Sequence, residues 1–169
     1  MVQVTIHSEH PFAPPPERRD AVRQFRGRLP APVTILTTGS GADRVGLTVS
    51  SLLVVHGDPG QFVAMIDPDS DLADALAVAA RVAVSALTEG DGLLADIFGG
   101  VAPASGSPFN AGEWEQTAFG PVRAGVSWLG GQVTSLQGIG WSVQLTARIE
   151  EVHLTEAPAL IHQRGRYRV

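Results

Sequence analysis

VTILTTGSGADRVGLTVSSLLVVHGDPGQFVAMI, residues 33–66, contains three β-prone runs separated only by turns. Val33 to Thr38 is β-branched and compact. Gly39-Ser40-Gly41-Ala42-Asp43 turns the chain into Val45 to Val55, and Asp58-Pro59-Gly60 turns it again into Phe62 to Ile66. Parallel neighbours need a crossover of a dozen or more residues, commonly a helix, so strands joined by such short turns must pair antiparallel. A doubly wound parallel sheet is therefore disfavoured.

Working outward, Asp67-Pro68-Asp69-Ser70-Asp71 reads as a strand-to-helix turn, with carboxylates and a serine suited to capping an alanine-rich helix over Leu72 to Ala80. Val82 to Leu87 is a further strand. Leu93, Leu94, Ile97 and Phe98 mark one face of a short helix ended by Gly99-Gly100. Val101 to Gly125 has no clear period and reads as a long connection, either functional or a cover over an exposed sheet edge. Val126 to Leu136 and Ser142 to Leu154 are long strands. The second alternates Val143, Leu145, Ala147 and Ile149 with Gln144, Thr146, Arg148 and Glu150, the pattern of a half-buried strand. On the N-terminal side, residues 1–16 end in three prolines and read as an extended arm. Residues 17–169 form the domain, opening with a short amphipathic helix over Glu17 to Leu29 stopped by Pro30 and Pro32. These elements predict a mainly β fold, an antiparallel barrel with peripheral helices.

Composition narrows the function classes. At 169 residues with 44% apolar and 17% charged residues, the chain suits one domain with a real core. The net charge is −5 and the basic residues, all arginine, form no continuous stripe, which argues against nucleic-acid binding. Cysteine is absent, so disulfides and thiolate metal sites are excluded and a reducing cytoplasm fits. No apolar run reaches membrane-spanning length and no signal peptide is evident. The histidines His7, His10, His56, His153 and His162 lack metal-ligand spacing, so no metal is expected. Ser50, Ser51 and Ser142 lack a nucleophile-elbow context.

Two stretches stand out chemically. In Gly46-Leu47-Thr48-Val49-Ser50-Ser51, a period of two puts Gly46, Thr48 and Ser50 on one small, hydroxylated face. Such a face suits the approach of a flat ligand, or equally a sheet surface that meets water. The Asp67 to Asp71 turn offers helix N-terminal amides to a phosphate, but its own charge opposes one, and a plain helix cap accounts for it as well.

From about Phe25 to Val169 the chain resembles the flavin-reductase-like, FMN-binding split-barrel family. The resemblance rests on APVTILTT (31–38), GLTVSS (46–51), DPDS (67–70), RVAVSAL (81–87), LADIF (94–98) and HQRGRYRV (162–169), taken in order and spacing. It implies an antiparallel split β-barrel that forms a homodimer and binds FMN, in some members FAD. The implied activity is reduction of flavin by NADH or NADPH, often to supply a partner monooxygenase. By position it implies Thr48, Val49, Ser50 and Ser51 along the isoalloxazine and ribityl chain, and Asp67, Pro68 and Ser70 at the phosphate. Ser85 falls near the ring, and Arg166 and Tyr167 in the motif that closes the pocket. No acid–base residue is assigned, because flavin and nicotinamide supply the hydride chemistry. The chain departs from the family at Asp71 and Leu72, where an arginine and a threonine are common, and at Gly140-Trp141-Ser142, where many members carry Gly-Asp-His. A non-catalytic flavin carrier and a split barrel that has lost flavin are the rival expectations.

Overall fold

The computed structural model describes residues 20–169, and the arm expected over 1–16 lies outside the described residues. The elements in order are α1 (Ala21–Arg28), β1 (Ala31–Pro32), β2 (Thr34–Thr38), β3 (Val45–Val49), β4 (Leu52–Val55), β5 (Gln61–Ile66), α2 (Asp71–Ala75) and β6 (Arg81–Ala86). They continue with α3 (Gly92–Phe98), β7 (Trp114–Gln116), β8 (Pro121–Arg123), β9 (Trp128–Ile139), β10 (Ser142–His153), β11 (Ile161–Gln163) and β12 (Arg166–Arg168).

Seven strands form one antiparallel sheet in the order β3-β2-β6-β9-β10-β5-β4. Its two edge strands, β3 and β4, follow one another in the chain, so the sheet curls round on itself. The expected single strand over 45–55 is thus two strands. Val49 still pairs with Thr34 of β2, but the Ser51 carbonyl already accepts the Met65 amide of β5 at 3.0 Å. Beyond that point β4 pairs, among the described residues, only with β5, and the barrel splits between β4 and β2.

The barrel interior is filled by Leu36, Val49, Phe62, Ala64, Ile66, Val82, Val84, Val133, Leu145 and Ala147, joined by Leu72 of α2. A second cluster lies outside the sheet, where Leu94, Ala95 and Phe98 of α3 pack on Val33, Ile35 and Leu87. With a covered face on either side, β2 is buried at every position. Its threonines are tolerated because each hydroxyl is spent: Thr34 donates to the Val49 carbonyl at 2.6 Å, Thr37 to Pro121 at 2.6 Å and Thr38 to Arg81 at 2.7 Å.

Two further expectations are corrected. The alanine-rich helix ends at Ala75 rather than Ala80, because the Ala79 amide and the Ala80 carbonyl bond to the Val133 carbonyl and amide, both at 2.8 Å. Sheet pairing overrides helix propensity there. The stretch 101–125 is partly ordered as the β7–β8 hairpin, whose Val122, with Phe119, packs on Ala83 of β6, so it acts as a cover over the sheet. The C-terminal hairpin β11–β12, joined by β1, forms a small separate sheet that the sequence pattern did not indicate.

At Gly131, on β9 opposite a β-bulge in β10, an added Cβ would run into the backbone carbonyl of Arg148. Backbone cannot step aside cheaply within a ladder. Gly131→Ala should therefore destabilise the protein by roughly 1–3 kcal/mol in denaturant unfolding, whereas Gly138→Ala, which meets open space on the same strand, should be far milder.

Candidate functional site

A groove of about 690 Å³ runs along the outside of the split. This volume lies within the range of small-molecule sites. One wall is α1 and the segment Leu29 to Pro32, the other is Ser50 to Leu53 with Val63 and Met65, and His162 and Gly165 close one side. The walls are mostly apolar and the small residues sit together at Ser50 and Ser51.

Strand register adds polar capacity. Ser51 and Met65 are a hydrogen-bonded pair, so alternation along the antiparallel ladder turns the N–H and C=O of Leu52 and Val54 away from β5, towards the split. These peptide groups are a ready recognition edge for a planar heterocycle.

The residues expected at a site separate into two sets. Ser50 and Ser51 are exposed and line the groove. Asp67 and Pro68 are exposed at the turn that follows β5, two and three residues beyond groove-lining Met65. Thr48 faces out of the barrel against α3, donating to the Ala95 carbonyl at 2.7 Å, and a Cβ at Gly46 would meet the Phe98 ring. What lies against that hydroxylated face is therefore a helix of the same chain. Val49 is in the barrel core. Ser85 is fully buried and its Oγ accepts the Arg123 amide at 3.0 Å.

The turn at 67–71 is occupied by its own bonds. Ser70 Oγ donates to the Asp67 carbonyl at 2.7 Å and accepts the Ala73 amide at 3.2 Å, while Asp67 Oδ1 accepts the Asp69 amide at 2.9 Å. Asp71 is exposed in the first turn of α2, and Leu72 is fully buried, so its departure from the family pattern fills the core. Ser142 is half-buried at the start of β10, next to Trp141, which is 95% exposed at the hairpin tip.

Arg166 is exposed on β12. Tyr167 packs beside the α3 cluster, and its hydroxyl donates to Asp96 Oδ1 at 2.6 Å. Partial burial, together with that carboxylate, pushes the phenol well above its usual range. The bond pins the β11–β12 hairpin to α3 and so fixes His162, whose ring meets Tyr167 edge-on at 5.5 Å. A partly buried ion pair of Arg123 with Asp91, 3.2 Å, ties the start of α3 to β8.

Sequence reasoning did not assign Arg23, Arg26 and His162 to a site. The available signals were the arginine cluster on an amphipathic helix and the histidine within HQRGRYRV, but only the fold brings α1 beside β11. Among the described residues no group of three or more His, Asp or Glu side chains is arranged to hold a metal ion, and no helix is long and apolar enough to cross a membrane.

A groove of this size fits a flavin: apolar walls for the ring, small residues and free strand peptides at its edge, arginines at one end. Fold and groove together define a split-barrel protein of the flavin-binding kind. Residues 26–169 match the flavin reductase like domain, and the chain belongs to that family.

Among its relatives, the FMN reductase (NADH) RutF of Ancylobacter novellus is 33% identical over 108 residues. That match spans 63% of this chain and 59% of the relative's length. NADH-dependent FMN reductase AsuE2 of Streptomyces nodosus subsp. asukaensis is 28% identical over 158 residues, 88% of this chain and 83% of that one. In structure, the chain is similar to the NADH:FAD oxidoreductase SgcE6 of Streptomyces globisporus. The TM-score is 0.80 and the identity 22%, covering 93% of this chain and 95% of the other.

The sequence holds a single tyrosine, so an ultraviolet titration of tyrosinate reports Tyr167 alone. Ionisation should begin only well above the ordinary phenol range, and Asp96→Asn should bring it back down. Because the folded-state value is raised, the stabilisation it reflects is present at neutral pH and is lost only as strongly alkaline pH ionises the phenol.

Proposed function

We propose that this protein is an NADH-dependent flavin reductase acting on FMN. The observation that carries the reading is the groove at the barrel split, whose apolar walls, small hydroxylated floor and free strand peptides match a planar, polar-edged ring. The names of the relatives, FMN reductase (NADH) and NADH-dependent FMN reductase, support it.

When bound, flavin supplies the two-electron chemistry with the nicotinamide. The chain's own residues bind and orient. Leu52, Leu53, Val63 and Met65 give the ring apolar surface, and Ser50 and Ser51 let it come close to the backbone. The outward-facing peptide group of Leu52 would be available to hydrogen-bond the polar edge of the ring. No side chain need transfer a proton for the hydride step, so alignment is the protein's main contribution.

The reading extends to assembly and partners. β4 is an edge strand whose Leu53, Val54 and Val55 are 65%, 53% and 43% exposed beside the groove, and a second copy of the chain is the occupant that would shield them and roof the site. A separate oxygenase would then consume the reduced flavin. In support, a neighbour of TM-score 0.75 and 20% identity is the flavin reductase component of a bacterial two-component tryptophan halogenase, BorF.

Purified protein should oxidise NADH in the presence of FMN. Ser50→Leu should weaken FMN binding, followed by fluorescence quenching, by roughly tenfold or more while leaving the melting temperature nearly unchanged, since the residue is exposed and faces the groove. FMN binding without NADH oxidation would indicate the carrier reading instead. Unchanged FMN binding in the variant would move the ring elsewhere.

A further inference from the structure

We infer that α1 is the phosphate anchor of the groove: Arg23 and Arg26 hold the 5′-phosphate of the flavin mononucleotide and make the site selective for phosphorylated flavin. This rests on the flavin reading above and adds to it the residues that recognise the anion.

The distribution of paired and unpaired arginines carries the inference. Arg81 and Arg148 meet Glu150, and Arg123 meets Asp91. Arg44 lies over the Phe109 ring. By contrast, Arg23, Arg26 and Arg28 of α1 and Arg164, Arg166 and Arg168 of the C-terminal hairpin form no ion pair among the described residues. The fold collects these unpaired cations in one corner, because the Gly27 carbonyl accepts the Arg164 amide at 2.8 Å and the Arg28 carbonyl accepts from Gln163 Nε2 at 2.7 Å.

Among the described residues no aspartate or glutamate lines the groove, whereas Arg23 and Arg26 do. Two described carboxylates have partners of their own: Asp20 caps α1 through the Val22 amide, and Asp96 takes the Tyr167 hydroxyl. In a chain of net charge −5 the groove is thus an electropositive exception, and a ligand that enters it with an anionic tail is drawn to the α1 end.

The arginines are placed there for ligand rather than for packing. No residue of α1 is buried, and Phe25 and Val22 are 63% and 74% exposed; its Gly27 and Arg28 carbonyls link the helix to the C-terminal hairpin. The acidic 67–71 turn, which does not line the groove, has spent its serine hydroxyl and the Asp69 and Ser70 amides on itself. A phosphate dianion placed beside Asp67, Asp69 and Asp71 would meet like charge, and one placed at Arg23 and Arg26 meets two guanidinium forks suited to its geometry.

The nicotinamide dinucleotide also carries phosphates, so the test must separate the two sources. FMN and riboflavin are titrated by fluorescence quenching against wild type, against Arg23→Gln/Arg26→Gln, and against the charge-matched Arg28→Gln/Arg168→Gln, whose residues do not line the groove. With an exposed α1, all three should melt alike. The groove double variant should bind FMN about tenfold or more weakly, with riboflavin affinity within about twofold of wild type and the FMN loss shrinking as salt is raised. The control should lose little for either flavin.

Equal losses for FMN and riboflavin, no loss for either, or an equal loss in the control would each overturn the phosphate assignment while leaving a flavin groove in place. A raised KM for NADH with FMN binding unchanged would give the arginines to the nicotinamide and overturn it as well. Failure of both flavins to bind the wild-type protein would instead strike the flavin reading itself, and the anchor with it.

Discussion

The architecture depends on how one stretch of chain is shared between two neighbours. At Val49 the backbone is still held by β2, with the Thr34 hydroxyl on its carbonyl. Two residues later the Ser51 carbonyl has passed to Met65 of β5. That handover closes the sheet into a barrel at one end and obliges it to open at the other, since β4 cannot pair with both sides. The split, the free peptide groups of Leu52 and Val54 and the small residues at Ser50 and Ser51 are all consequences of it. A strand continuing along β2 would have left no groove.

Much of the fold was legible because short turns between β-branched runs leave few topologies open. The alternation in Ser142 to Leu154 correctly told the inner from the outer face of β10. Legibility failed where long-range pairing outvoted local preference: residues 77–80 were taken from a helix by the pairing of Ala79 and Ala80 with Val133, and β11–β12 carries too little pattern to announce itself. For the candidate site, the structure divides the hydroxylated stretch that the sequence singled out between two environments. A period of two grouped Thr48 with Ser50, but the bend after Val49 separates them, leaving Thr48 under α3 and Ser50 in the groove. No local signal states that a helix will arrive over Gly46; only the close approach of Phe98 explains why that position is glycine.

Electrostatics divides the surface around the groove. Carboxylates crowd the turn after β5, whereas uncompensated guanidinium groups gather where α1 meets the C-terminal hairpin. Those two regions lie at different ends of chain segments that border the same groove, so an asymmetric ligand with one charged end is oriented before it makes a close contact. The apolar walls contribute affinity without direction, and the flanking charges contribute direction.

The bond between Gln163 and the Arg28 carbonyl joins residues 135 positions apart. One wall of the groove is therefore fixed by a contact that spans most of the domain. Contacts of such sequence separation carry a large loop-closure entropy and form late. The groove is thus among the last features to mature in folding, and loss of the β11–β12 hairpin would leave a barrel without a finished groove.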